Sequence, residues 1–115
     1  KRDNRVWSYD TGSKKIEIIY DARTSHNPIL TGVDNVDITA GGDVLVAEDG
    51  GDMQLVAITP EGELFPLFKI IGHDRSEVCG QAFDPSYQRL YFSSQRGIPG
   101  SRVTGGITDE VMNTG

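Results

Sequence analysis

Residues 33–36, Val-Asp-Asn-Val, and residues 47–52, Ala-Glu-Asp-Gly-Gly-Asp, set carboxylates and an amide on either side of a short apolar stretch. Carboxylate and amide oxygens are hard donors, and several of them held together offset the dehydration of Ca²⁺, Mg²⁺ or a hard iron ion. If the apolar runs between them are antiparallel strands, Asp34 and Asn35 enter the first while Glu48 and Asp49 leave the second, so both groups reach one end. Asp34, Asn35 and Glu48 are therefore candidate metal ligands. The same residues also suit an Asx turn at 34–35 and a solvated Gly-rich loop at 48–51, a reading that needs no ion. Glu77, in Ser-Glu-Val-Cys-Gly, precedes the next apolar run in a comparable place and is a fourth candidate ligand, with an ordinary surface carboxylate as its other reading. Arg96, in Gln-Arg-Gly, follows a later strand as Glu48 follows an earlier one, and is a candidate for holding an anionic substrate group at the same end.

Other chemistry is sparse. Cys79 is the single cysteine, so no intrachain disulfide forms, and beside an apolar run it reads as a small buried hydrophobe. His26 and His73 fall in apparent loops without spaced partners and read as surface histidines. No P-loop, Gly-x-Ser-x-Gly elbow, HExxH or CxxC occurs, and no residue is assigned a catalytic role.

The elements that must position these residues are short apolar runs punctuated by turn chemistry, without a sustained helical period. Strands are expected at 6–9, 16–20, 36–39, 44–47, 55–58, 64–68, 82–83, 90–92 and 107–111. Residues 38–47 align without gaps on 84–93, an offset of about 46 residues, and 6–10 align on 55–59 at about 49, within the range of a propeller repeat. The expected fold is all-β: a partial β-propeller with one complete four-stranded blade at 33–70, the end of a blade at 1–20 and part of a third at 77–111. An ordinary β-sandwich is the competing architecture. Since a ring takes about four to eight blades, this reading makes the chain a fragment, or a subunit completed by remaining blades or by other copies. Its exposed blade faces then favour self-association.

Composition narrows the partners. Over 115 residues, 17 acidic side chains against 11 basic ones leave a net charge of −6, a field that repels nucleic-acid phosphates and anionic lipid. No run approaches the ~20 apolar residues of a membrane-spanning helix, so membrane insertion is not expected.

At the segments GVDNVDITAGGDVLVAEDGGDMQLVAITPEGELFPL, SEVCGQAFDPSYQRLYFSSQRG and GGITDEV the sequence resembles the PhoX-type alkaline phosphatases, a family of secreted bacterial propeller proteins, over most of its length. The resemblance implies hydrolysis of small phosphate monoesters by the full-length parent, with this chain inactive alone, at a cluster of calcium and iron ions. It also implies a periplasmic or extracellular location. Carried over by position, it points to Glu48 first and to Asp34, Asn35 and Glu77 after it, with further ligands, a cysteine among them, from preceding blades. A calcium-dependent lactonase of the gluconolactonase type and a non-catalytic binding propeller are the alternatives.

Overall fold

A computed structural model describes residues 3–50 and 52–97. The described chain is all-β and holds no helix. Strands β1 (Arg5–Asp10) and β2 (Lys15–Asp21) form a hairpin. Strands β3 (Val33–Ile38), β4 (Val44–Glu48), β5 (Gln54–Ile58) and β6 (Leu64–Lys69) form a four-stranded antiparallel meander. Strands β7 (Val78–Phe83) and β8 (Leu90–Ser94) form a second hairpin. None of the three sheets closes on itself.

The turns follow from their residues. Between β3 and β4, and again between β5 and β6, the fourth turn residue is a glycine, Gly42 at φ 89° and Gly62 at φ 85°, whose N–H returns to the carbonyl of Thr39 and Thr59 respectively. Only glycine reaches that region without steric cost. The turn between β7 and β8 repeats the arrangement with Tyr87 at φ 58°, its N–H donating to the Asp84 carbonyl. Left-handed backbone costs a non-glycine residue about 1–2 kcal/mol. Tyr87 is held there because its hydroxyl accepts the Ala40 N–H at 2.8 Å and its ring lies 5.2 Å from that of Phe83.

Aspartates secure both hairpins. Asp10 accepts the N–H groups of Gly12 and Ser13 at 2.8 and 2.7 Å, while Asp84 accepts the Ser86 hydroxyl and the N–H groups of Gln88 and Arg89. Bonds from Ser13 hold the Asp10 carboxyl below its usual range, and the Ser86 hydroxyl does the same at Asp84. A carboxylate depressed by folding stabilises the fold above its unfolded pKa and loses that contribution as pH falls through the folded value. The urea midpoint should therefore hold steady from neutrality down to about pH 4 and fall below it. Asp84→Asn should lower the midpoint at neutral pH and flatten the acid limb, and an unchanged limb would refute the assignment.

Each face of the four-stranded sheet packs on a different neighbour. Val46, Val56 and Ile58 bury against Val6, Tyr20 and Leu30 on the side of the first hairpin. Leu45, Ala47, Leu55 and Ala57 bury with Met53 and Val78 on the side of the second. Strands covered on both faces read as unbroken apolar runs, as Leu45–Ala47 and Leu55–Ile58 do. The Phe68 and Phe92 rings, with centroids 4.3 Å apart, extend the second seam.

Two expected boundaries are corrected. Asp34 and Asn35 lie inside β3, where a bulge between Val33 and Asn35 absorbs Asp34 as the extra residue. The strand expected at 82–83 begins at Val78, because ladder pairing with Ser94 and Ser93 carries it through polar residues and a further bulge. The strand expected at 107–111 lies outside the described residues.

Candidate metal site at one end of the central sheet

The end of the central sheet where β3 begins and β4 finishes is tied to the second hairpin by main-chain bonds. Val33 pairs with Glu48, Asp49 bridges to Glu77, and the N–H of Gly50 donates to the Ser76 carbonyl at 3.1 Å. The N–H of Asp49 donates to the Gly32 carbonyl at 3.0 Å, and a side chain at Gly32 would begin 3.0 Å from the Asp49 carbonyl oxygen. Glycine therefore lets these two segments approach.

This scaffold gathers three carboxylates. Asp34, Asp49 and Glu77 each place one oxygen within 4.8 Å of the others. The Asn35 amide donates to Glu77 Oε1 at 3.1 Å and to Asp34 Oδ2 at 3.3 Å, which orients both acids. Across the group, Arg96 Nη1 lies 3.6 Å from Asp49 Oδ1 and Nη2 lies 3.6 Å from Glu77 Oε2. Glu77 is 9% exposed, which sets it apart from an ordinary surface carboxylate.

Glu48 points elsewhere. Successive strand residues face opposite sides, so Glu48 shares the face of Val46, toward the first hairpin, while Asp49 continues the face of Ala47. The Glu48 side chain is fully buried; its Oε1 accepts the N–H groups of Thr31 and Gly32 at 2.7 and 3.2 Å. Its Oε2 is buried with no hydrogen-bond partner. Nearby, the Tyr20 hydroxyl donates to the Leu30 carbonyl at 2.8 Å and accepts the Leu30 N–H. Burial raises the Tyr20 phenol above its usual pKa, against the N–H that Leu30 donates to its oxygen, and the charges of Glu48 and Asp21 add to the rise.

Of the five residues singled out from the sequence, Asp34, Asn35, Glu77 and Arg96 thus meet at one place, and Glu48 lies at the same sheet end on the opposite face. Asp49, expected at this end of the sheet beside Glu48, takes the place in the group for which Glu48 was the candidate. Its signal is parity with Leu45 and Ala47, which becomes informative once the two seams are distinguished. His73 also departs from its expected surface position: it is 2% exposed, with Nδ1 2.7 Å from Ser94 Oγ. Ser94 Oγ in turn lies 2.7 Å from Ser76 Oγ, and Ser76 Oγ accepts the Arg96 N–H at 2.9 Å. That chain of polar contacts fixes the backbone from which Arg96 projects. Cys79, half-buried on β7, lies 3.2 Å from Ser93 Oγ, away from the carboxylate group.

The donor set suits a hard cation. Three carboxylates within reach of one another match the oxygen preference of Ca²⁺, and Glu48 Oε2 is a buried carboxylate oxygen left without a hydrogen-bond partner.

The family model described as Alkaline phosphatase PhoX matches residues 7–98. No curated protein and no solved structure matches the chain.

Proposed function

This chain belongs to the alkaline phosphatase PhoX family, and on that premise we propose that it is part of a metal-dependent phosphomonoesterase built as a β-propeller. In this reading the central sheet is a complete blade and the two hairpins are parts of its neighbours, residues 1–20 and 77–111 belonging to separate blades. Alternate faces of one sheet buried on successive sheets support it, as does the repeated turn with its fourth residue at positive φ.

The observation that carries the site is the meeting of Asp34, Asp49 and Glu77. These three would hold a calcium ion, and Glu48 Oε2 would serve a second cation on the other face. Such ions, when bound, neutralise phosphate charge and activate the attacking group. Asn35 keeps Asp34 and Glu77 turned toward each other. Arg96 supplies the cationic fork suited to two oxygens of a small phosphate monoester. Iron among the bound metals and export to the periplasm or beyond belong to the same reading. In this reading turnover needs further blades, from a parent chain or other copies, and this chain alone is inactive.

Calorimetric titration with Ca²⁺ tests the site. Binding should weaken about tenfold or more in Asp34→Asn and in Glu77→Gln, because each removes one charged ligand. Chelated chain should hydrolyse no p-nitrophenyl phosphate with or without added metal. Calcium affinity unchanged by both substitutions would remove the metal assignment.

A further inference from the structure

Arg96 and a divalent cation want the same oxygens. The guanidinium faces Asp49 Oδ1 and Glu77 Oε2, both from residues whose carboxylates make up the cation-sized group with Asp34. Glu77 Oε1 is engaged separately by Asn35, so Arg96 takes the oxygen that Asn35 leaves.

Two features make Arg96 exchangeable. Its ion pairs are 3.6 Å long, beyond the ~2.7–2.9 Å of a direct charge-assisted hydrogen bond, and its side chain is 54% exposed. The main chain beneath it is anchored: the Arg96 N–H donates to Ser76 Oγ, and the neighbouring Gln95 N–H donates to the Glu77 carbonyl at 2.9 Å. A fixed Cα carries a loosely held head group. Arginine does not lose its proton in proteins, so it can leave the carboxylates only by moving.

We infer that Arg96 is a displaceable internal counter-ion: it neutralises Asp49 and Glu77 in the metal-free chain and gives them up when a divalent cation binds. The inference rests on the metal reading above and adds its regulation. A +2 ion among three carboxylates outcompetes a half-solvated +1 group, and the cost of expelling that group lowers apparent metal affinity. Once expelled, the guanidinium stands beside the bound cation, unpaired and directed at whatever anion the cation attracts. The carboxylates thus exchange one unit of positive charge for two, and the phosphate-binding cation becomes available only when metal is in place.

The test is Ca²⁺ titration of the whole chain and its R96Q variant by calorimetry, with D34N as control. R96Q should bind Ca²⁺ about tenfold more tightly, as expected from removing one positive charge roughly 4–5 Å from the ion at a partly solvated site. Equal affinities for wild type and R96Q, with D34N weakened, would overturn the inference and leave the metal reading intact. Absence of binding in every protein would overturn both. A second measurement needs no variant. The Arg96 Nε–Hε resonance of the wild-type chain should shift in step with calcium occupancy, and a resonance unmoved at saturation would overturn the inference.

Discussion

Glu48→Ala should lower the unfolding free energy by about 3 kcal/mol, read from the urea midpoint, while Glu48→Gln should change it by no more than about 1 kcal/mol. Alanine removes the acceptor of the Thr31 and Gly32 N–H groups, the latter buried, and leaves a cavity where a fully buried side chain had been. Unsatisfied buried donors cost about 1–3 kcal/mol, and the lost methylenes add about 1 kcal/mol each. Against this stands the relief of removing a buried charge whose second oxygen is unpartnered. Glutamine separates the two contributions, since it keeps the accepting oxygen and the volume while discarding the charge. An alanine variant as stable as the parent would mean that charge burial outweighs the two amide bonds. Added Ca²⁺ should stabilise the parent more than the glutamine variant if Glu48 Oε2 takes a cation.

The second large effect concerns association. On the outer face of the first hairpin, Trp7 pairs with Ile18 and Tyr9 with Ile16 across the strands, and all four are exposed. Val36 and Ile38 on β3 are exposed as well. Burying a large apolar side chain contributes about 1.5–3 kcal/mol, so covering even two of them outweighs an ordinary loss of surface side-chain freedom. Sedimentation should show the chain associating with rising concentration. Replacing Trp7 and Ile18 together by lysine should weaken that association by about a hundredfold or more, given the loss of two apolar anchors and the gain of two charges. A monomer at all concentrations would show that these residues remain solvated without consequence.

How far the sequence could be read depended on which residues carried the strands. β4 and β5 were visible as Val-Leu-Val-Ala and Leu-Val-Ala-Ile because they are covered on both faces. β3 was blurred at its start, where Asp34 and Asn35 look like turn residues but are carried in the ladder by a bulge. β7 was recognised only at its end, since Gly80 at φ 62° and buried Gln81 break the apolar pattern. The grouping of Asp34, Asn35, Glu77 and Arg96 was legible because antiparallel pairing brings alternate loops to one end. Whether Glu48 or Asp49 joined them was not, because adjacent residues differ only in the face they present, and two apolar flanks give no sign of which neighbour lies on which side. His73 reads as a surface residue for a related reason: its contact Ser94 is remote in sequence, and loop composition carries no trace of it.

The alternation along β4 has an evolutionary consequence. Because consecutive side chains serve two different neighbours, substitutions between Val44 and Asp49 can be judged one at a time, but a one-residue insertion or deletion exchanges every assignment downstream of it. Glu48 would then turn toward Glu77, Asp49 would be forced among the aliphatic side chains around Leu30, and both seams would lose their complementarity together. Length variation among relatives should accordingly be purged from this stretch and tolerated in the turn at residues 59–63.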